Sequence, residues 1–408
     1  MKILIYSYNY HPEPIGIAPL MTELAEGLVR RGHSVRVVTG MPNYPQRRIY
    51  DDYRGKLYVT EAQNGVKIQR CYVWVRPKPG FMDRVLLESS FVLSSFVKAV
   101  SGWKPDVILL TSPPLPACVP ATLLKWIRGC PVVLNLQDVL PEAAIVTGLL
   151  RNKLLIRVFE GLERFAYRHA DRISAIADGF VDNLLEKGVD PKKIALIPNW
   201  VDTDFIRPLP NKNNTFRAEH DLEGKFVVLY SGNIALTQGL ETLIRAASFL
   251  LDAPDIAVII VGEGRALDVL KKRREIWGAT NVTLLPFQPR ERLPEMLSAA
   301  NVGMVMQKSN VIAINMPSKI QVLLASGLPI IASVPEDGTA AKAVQNSGGG
   351  VVVPPESPQS VAAAIRHLYE NPREVEALGQ RARQFALENY AFEQALDRYE
   401  RLFVELVR

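Results

Sequence analysis

The sequence predicts an α/β protein made of two Rossmann-like, doubly wound domains that face each other across a cleft. Residues 1–40 have the pattern of an apolar strand, a glycine-containing turn, a helix and a second strand, and residues 226–262 repeat it. A chain of 408 residues is long for one hydrophobic core, so two domains are expected. Continuous apolar runs such as DVILLT and PVVLNL are typical of strands buried on both faces of a parallel sheet.

Strands alternate with helices through both halves, and this order places ligands outside the carboxyl ends of the strands. A segment rich in Pro, Asn and Asp near 199–214 separates the halves, and we assign 1–205 to an N-terminal domain and 206–390 to a C-terminal domain. The predicted strands lie near 2–8, 34–39, 66–72, 106–111, 131–136, 172–176 and 194–197, and then near 226–231, 256–261, 282–286, 301–306, 328–333 and 350–353.

Composition limits the partners. The net charge of +6 either favours phosphorylated ligands or an anionic membrane surface, or only aids solubility, and no nucleic-acid-binding signature accompanies it. Three cysteines without a CxxC pair and five scattered histidines predict no metal site. Met1 leads directly into a predicted core strand, and no run of 18 uncharged apolar residues exists. We therefore expect a cytoplasmic protein, with peripheral attachment to the inner face of the plasma membrane as an option.

Several motifs occur in a characteristic order along essentially the whole chain. They are HPEPIGIA, LAEGLVRRGHSVRVVT, MPNYP, QDVLPEAA, IPNWVDTDFI, YSGNIALTQGLETLI, VGEG and MPSKIQVLLASGLPIIAS. With these motifs the chain resembles the GT-B glycosyltransferases of family 4, in the branch that contains colanic-acid and fucosamine transferases.

The resemblance implies transfer of a sugar from a UDP- or GDP-linked donor with retention of configuration and without a metal or other cofactor. The C-terminal domain would hold the donor, and the N-terminal domain most of a saccharide acceptor that is commonly lipid-linked. The product would belong to an exopolysaccharide, a capsule or an O-antigen. The family's final helix crosses back to the first domain, so we add residues 391–408 to that domain.

Two turn glycines are candidate donor contacts. Gly16 and Gly232 lie in the strand-to-helix turns that begin the two halves. The free N–H groups at the start of the following helix suit a phosphate, although a turn glycine can also serve backbone shape alone. Many relatives carry Arg directly after the second glycine and Lys six residues after it. Here Asn233 and Gln238 stand at those places, and neutral amides donate hydrogen bonds without supplying charge.

Lys319 is the candidate cation for the diphosphate. It follows Ser318 at a predicted helix start, and the alternative is a solvated surface lysine. Glu263 in VGEG and Phe287 in LPFQP follow donor-domain strands and are expected to flank the nucleotide base.

The chain departs from the family at a pair of carboxylates. Many members carry Glu-x7-Glu before the AxxG stretch, and those places hold Ile314 and Val322 here. Either other groups contact the sugar and ribose hydroxyls, with Asn310 and Asn315 as candidates, or donor binding is impaired.

The predicted catalytic residues are Gln137, Asp138 and Glu142, which follow a buried strand. Relatives often have His at the place of Gln137. Asp138 and Glu142 are carboxylates that could orient an acceptor hydroxyl or accept its proton. A helix N-cap is the alternative for Asp138.

Residues 83–103 have the pattern of an amphipathic helix after a basic turn. It is either a core helix or a surface that docks on anionic lipid. The flanking basic residues are Arg76, Lys78, Arg84, Lys98 and Lys104.

Two other functions stay open on the sequence. Loss of both carboxylates would suit a non-catalytic partner protein with a GT-B scaffold. A sugar-nucleotide epimerase or a dehydrogenase would share the two-domain pattern, but no GxGxxG follows the first strand.

Overall fold

The computed structural model describes residues 1–14, 16–77, 80–140, 142, 145, 152–210, 214–311 and 316–407. The chain divides into two compact units, Met1–Pro198 with Leu396–Arg408, and Asn199–Ala395. Each unit contains one predominantly parallel sheet with helices connecting its strands. The predicted α/β class with two Rossmann-like domains is therefore confirmed.

The first unit contains an eight-stranded sheet in the order β3-β4-β2-β1-β5-β6-β7-β8. All neighbours are parallel except β3, which runs antiparallel to β4 at the edge. The sequence analysis missed β3, because its residues YVTEAQ alternate between exposed and half-buried positions instead of forming an apolar run. The strands are β1 Lys2–Tyr6, β2 Ser34–Gly40, β3 Tyr58–Gln63, β4 Val66–Cys71, β5 Val107–Ser112, β6 Val132–Leu136, β7 Arg172–Ala175 and β8 Ile194–Leu196, and the helices are α1 Ile17–Arg30, α2 Phe81–Ser101, α3 Cys118–Arg128, α4 Lys153–His169 and α5 Asp178–Glu186.

The second unit contains a six-stranded parallel sheet in the order β11-β10-β9-β12-β13-β14. The strand order reverses at β9, so the gap between β9 and β12 is the topological switch point where such sheets bind ligands. The strands are β9 Phe226–Ser231, β10 Ile256–Val261, β11 Val282–Leu285, β12 Val302–Met306, β13 Ile330–Ser333 and β14 Gly350–Val353, and the helices are α6 Thr215–Glu219, α7 Glu241–Ser248, α8 Leu267–Ile276, α9 Leu293–Ser298, α10 Lys319–Ala325, α11 Thr339–Ser347, α12 Pro358–Glu370, α13 Pro372–Asn389 and α14 Phe392–Val407.

The last helix, α14, starts in the second unit, and its residues from Leu396 onward belong to the first. Arg31 at the end of α1 binds Glu400, with 2.7 Å between Nη1 and Oε2. In the core, the amide of Asn135 donates a 2.7 Å hydrogen bond to the hydroxyl of the buried Tyr399. The end of the chain thus completes the core of its first half.

The boundary between the units lies at 198/199, not at 205/206 as the sequence analysis placed it. The reason is that the backbone of this segment is hydrogen-bonded to the second unit. Gln321 Nε2 donates to the carbonyl of Asn199 over 2.8 Å, and Arg383 donates to the carbonyls of Thr203 and Ile206 over 3.0 and 2.9 Å. Residues 391–395, assigned to the first domain with the last helix, also group with the second unit.

In the part of the chain that the structure describes, no helix is both long enough and apolar enough to cross a membrane.

Candidate functional site

Two strand-end loops of the second unit interlock beside the switch point. They are 232–234, after β9, and 262–264, after β10. The N–H of Ile234 donates a 2.8 Å hydrogen bond to the carbonyl of Glu263. Gly262 has φ of 155°, and a Cβ built on it would lie 2.0 Å from the carbonyl oxygen of Gly232. Only glycine therefore fits at 262, and this close approach fixes the path of the predicted Gly232 turn.

Lys319, the first residue of α10, places its side chain against that turn. A Cβ on Gly232 would lie 3.1 Å from Lys319 Nζ, and Nζ lies 3.7 Å from the centre of the Tyr230 ring. The side chain is half-buried, and burial lowers the pKa of Lys319 to about 7. Among the described residues, no carboxylate or carbonyl pairs with its ammonium. The predicted cation is thus partly desolvated and available to an anionic ligand.

Tyr230 connects the other predicted residues of this loop, and the sequence analysis missed it. Its buried hydroxyl lies 2.8 Å from the carbonyl oxygen of Asn233 and 3.3 Å from Oε1 of Gln238, so its single proton has these two acceptors within reach. Burial raises the pKa of Tyr230, so the hydroxyl stays protonated and acts as a donor. The signal in the sequence is a single tyrosine near the end of the otherwise aliphatic strand FVVLYS.

The remaining predicted donor residues lie further from this cluster or have exposed side chains. The carbonyl of Glu263 accepts the hydrogen bond from Ile234 that joins the two loops. The side chains of Glu263 and Ser318 are exposed. Phe287 is half-exposed and follows β11, which is two strands away from β9.

The positions of the missing carboxylate pair are only partly described. Val322 packs against the hydrophobic core of the second unit, and Asn310 is exposed. Ile314 and Asn315 lie outside the described residues.

In the first unit, Gly16 caps the N-terminus of α1 with φ of 73°. A Cβ on Gly16 would have no neighbour within 4 Å, so the surface there is open. The turn that leads to it is organised by Glu13, a buried residue that the sequence analysis missed. Its Oε1 accepts hydrogen bonds from the N–H groups of Asn43 and Tyr44, at 2.7 and 2.9 Å.

Gln137 and Asp138 follow β6 at the carboxyl edge of the first sheet. Gln137 Nε2 donates to Oδ1 of Asn135 over 2.8 Å, which ties the amide to the strand. Asp138 is exposed as a residue, but the protein around its carboxyl removes part of its hydration and raises its pKa. None of the described residues donates a hydrogen bond to this carboxyl, so it is available as an acceptor.

Glu142 is held in a different environment. It forms an ion pair with Lys187, which also binds the buried Glu163 over 2.5 Å. Glu163 in turn accepts a 2.9 Å hydrogen bond from the hydroxyl of Tyr167. The ion pair gives Glu142 a structural partner, and its catalytic role stays a prediction.

The described residues contain no group of three or more His, Cys, Asp or Glu side chains placed to hold a metal ion.

Two family models match the chain, one in each half. The model for the glycosyl transferase 4-like domain covers residues 16–200, and the model for glycosyl transferases group 1 covers residues 212–385. The putative colanic acid biosynthesis glycosyl transferase WcaI of Escherichia coli (strain K12) is 32% identical over 382 residues, which are 91% of this chain and 93% of that protein. The probable glycosyltransferase WbjE of Pseudomonas aeruginosa is 26% identical over 74% of this chain and 72% of its own.

Solved structures show the same fold. Anabaena Alr3699/HepE in complex with UDP has a TM-score of 0.74 at 18% identity, with full coverage of both chains. WaaG, a glycosyltransferase involved in lipopolysaccharide biosynthesis, has a TM-score of 0.66 at 15% identity, with 99% of both chains covered. Fold and matches together define a glycosyltransferase and leave the epimerase and dehydrogenase alternatives without support. The chain belongs to the GT-B glycosyltransferases of family 4.

We predict that Gly262→Ala lowers the free energy of unfolding by about 3 kcal/mol, because the new methyl group overlaps the Gly232 carbonyl. Gly278→Ala is the matched control, since Gly278 also has a positive φ, 58°, but open space beside it. Its cost should be about 1 kcal/mol. Urea unfolding of the two variants measures both values, and equal losses would contradict the overlap.

Proposed function

We propose that this glycosyltransferase takes a sugar from a UDP- or GDP-linked donor and transfers it, with retention, to a lipid-linked saccharide during synthesis of an exopolysaccharide, capsule or O-antigen. The position of Lys319 carries the proposal. A half-buried ammonium that has no carboxylate partner among the described residues, set against the side-chain-free backbone of Gly232, suits the diphosphate of a nucleotide. WcaI, named for colanic acid biosynthesis, and WaaG, described as involved in lipopolysaccharide biosynthesis, support the polysaccharide setting, and HepE in complex with UDP supports a uridine nucleotide.

In the proposed reaction, Lys319 stabilises the negative charge that develops on the departing nucleoside diphosphate. The leaving group then needs no divalent metal, because a fixed protein cation supplies the charge. Because Gly232 has no side chain beside Lys319 Nζ, phosphate oxygens could reach the ammonium there.

For the acceptor half we propose Asp138 as the group that orients the attacking hydroxyl. Its carboxyl has no competing partner among the described residues, and its raised pKa makes it a stronger proton acceptor than an ordinary aspartate. The side chain of Gln137, which is fixed by its hydrogen bond to Asn135, would make a polar contact to the substrate beside Asp138.

We expect Lys319→Met to weaken nucleoside diphosphate binding at pH 7 by about ten- to hundredfold, because a charge-assisted contact is lost. In the wild type, affinity should fall about tenfold between pH 7.5 and 8.5. Binding requires the protonated lysine, and its pKa of about 7 in the free protein means that binding must then include proton uptake. Calorimetry across this pH range measures both effects.

Lys319→Arg is the control for this experiment. Arginine stays charged throughout the range, so this variant should bind with little dependence on pH. An affinity of Lys319→Met within about twofold of the wild type, or an unchanged pH slope in it, would dispose of the role of Lys319.

Turnover with a panel of UDP- and GDP-sugars should persist in EDTA, because the proposed charge stabilisation is built from protein groups. Product analysis by NMR reports the anomeric configuration at the same time. Activity that EDTA abolishes and Mg²⁺ or Mn²⁺ restores would refute metal independence. Nucleotide binding without turnover on any donor would favour a non-catalytic partner instead, the alternative that Val322 in the core keeps open.

We further propose that helices α2, α3 and α4 dock on anionic membrane and present the lipid-linked acceptor. Each helix connects strands in the same direction across the sheet, so right-handed crossovers place all three on one face of it. α2 packs beside α3, and α3 beside α4. We call their outer surface the three-helix face. Its exposed large apolar residues are Met82, Val85, Leu86, Leu93 and Val97 on α2, Val119, Leu123, Trp126 and Ile127 on α3, and Leu154 and Val158 on α4.

One side of α2 is buried, as expected for a core helix, and its exposed side supports the docking proposal. Phe91 and Ala99 are buried in the core, while Leu93 is 72% exposed. On α3 Trp126 is 59% exposed, and on α4 Leu154 is 69% exposed. So many exposed large apolar residues on three adjacent helices are unusual for a surface that faces only water.

The charges on the three-helix face complement anionic lipid. α4 exposes four basic side chains and, among its described residues, no exposed acidic one. Of the residues expected from sequence, Arg76 stacks on Trp74 and lies 3.9 Å from Asp83, whereas Lys78 lies outside the described residues. The exposed basic residues on or next to the face include Arg84, Lys104, Lys153, Arg157, Arg164 and Arg168.

Reversal of three arginines on α4 to glutamate, at Arg157, Arg164 and Arg168, should weaken binding to phosphatidylglycerol vesicles by roughly a hundredfold or more at low salt. Nucleotide binding should be unchanged. The control reverses Lys272, Arg273 and Arg274 on α8 of the second unit, which changes net charge equally. Equal losses in both triple variants, or a wild type that stays off the vesicles even at low salt, would contradict docking by this face.

A further inference from the structure

Lys308 contacts the loop after β9, as Lys319 does, but at the opposite end of that loop. It follows β12, and its N–H donates a 3.0 Å hydrogen bond to the carbonyl of Thr237. A Cβ built on Gly239 would lie 3.1 Å from Lys308 Cγ and 3.8 Å from Cε, so the lysine side chain passes closely over this glycine. Lys308 is therefore fixed against the 3-10 turn Leu236–Gln238 that follows β9.

Glu356 fixes the loop that carries Lys308. Oε2 of Glu356 accepts hydrogen bonds from the N–H and the hydroxyl of Ser309, at 3.1 and 2.5 Å. These bonds, together with the nearby charge of Lys308, lower the pKa of Glu356 and keep it ionised. Glu356 has φ of 55°, which is a strained conformation for a residue with a side chain. The two hydrogen bonds from Ser309 hold Glu356 in this conformation, and they also fix Ser309 next to Lys308.

The carboxylate of Glu356 is used on Ser309 and does not form an ion pair with Lys308. Within the residues that the structure describes, the half-buried Lys308 has no ion-pair partner at all. The register of β12 against β9 places Lys308 near the switch point. Val302 pairs with Val228 and Gly303 with Leu229, so β12 and β9 end side by side at the switch point.

Two lysines without an ion-pair partner among the described residues thus contact the two ends of one loop, Lys319 at Gly232 and Lys308 at Gly239. A nucleoside diphosphate carries more than one negative charge at neutral pH, so one ammonium leaves it incompletely neutralised. We propose that Lys308 is a second cation for the donor diphosphate, and that Glu356 is a positioning residue that acts through Ser309. This inference rests on the proposed nucleotide-sugar donor.

The test compares Lys308→Met, Lys319→Met and Lys272→Met, the last being an exposed lysine on α8 that controls for net charge. Calorimetry with UDP and GDP first identifies the nucleotide that the wild type binds. Lys308→Met should then bind this diphosphate about tenfold more weakly and with a shallower salt dependence, while Lys272→Met should be unaffected. Inorganic pyrophosphate, tested as a competitor, should lose affinity in parallel.

A double-mutant cycle that combines Glu356→Ala with Lys308→Met tests the positioning role of Glu356. This change should weaken diphosphate binding in the wild type and have no further effect in Lys308→Met, because it acts only by releasing the lysine. A merely structural role would lower affinity equally in both backgrounds, and thermal melting of each variant reports folding independently.

The outcomes separate the inference from the function on which it rests. Loss of binding in Lys319→Met together with wild-type affinity in Lys308→Met would overturn the second cation and leave the donor proposal intact. A wild type that binds neither UDP nor GDP would overturn both.

Discussion

The close approach of two backbones at Gly232 and Gly262 is the constraint on which the candidate donor site depends. The carbonyl of Gly232 occupies the space that any side chain at 262 would need, and the hydrogen bond from Ile234 to Glu263 locks the same contact from the other side. These contacts with the loop after β10 fix the path of the loop after β9. The side chain of Lys319 extends from α10 to this loop, where its ammonium lies over the ring of Tyr230. Backbone packing thus sets the position of the charge.

Lys319 and Lys308 have no carboxylate partner among the described residues, unlike Lys125 and Lys187 of the first unit. Lys125 is paired with Asp171 at 2.7 Å, and Lys187 is shared between two glutamates in the first unit. A half-buried lysine without such a partner loses hydration and gains little in return, which is unfavourable for folding. Groups kept in an unfavourable state by an otherwise well-packed scaffold are typical of binding sites, where the ligand supplies the missing partner. The same reasoning favours Asp138 over the ion-paired Glu142 as the reactive carboxylate.

Much of the fold could be predicted from sequence because buried parallel strands are continuous apolar runs, as in VILLTS of β5. The edge strand β3 has no such run, and its pairing with β4 is not a local property of its residues. In the site, Lys319 was predicted from its motif, but its contacts were not. Tyr230 lies 89 positions earlier in the chain, and the ring contact exists only after β9 and α10 have packed. Lys308 has no local signal, since its significance comes from strand register and from Glu356 nearly fifty residues later. The ion pair between Glu142 and Lys187 could not be predicted either, because the two residues are far apart in the sequence and meet only in the folded unit.

The hydrogen bond between Asn135 and Tyr399 has a consequence for the order of events during synthesis. All eight strands of the first sheet have been made by residue 196, yet the hydroxyl that Asn135 binds in the core arrives only with the last helix. At ~5–20 residues per second, the ribosome needs roughly 10–40 s to bridge that interval. Until then the first unit lacks the side chains that cover one part of its sheet, including the carboxylate that neutralises Arg31. The last side chains of the first unit's core are therefore synthesised only after the whole of the second unit.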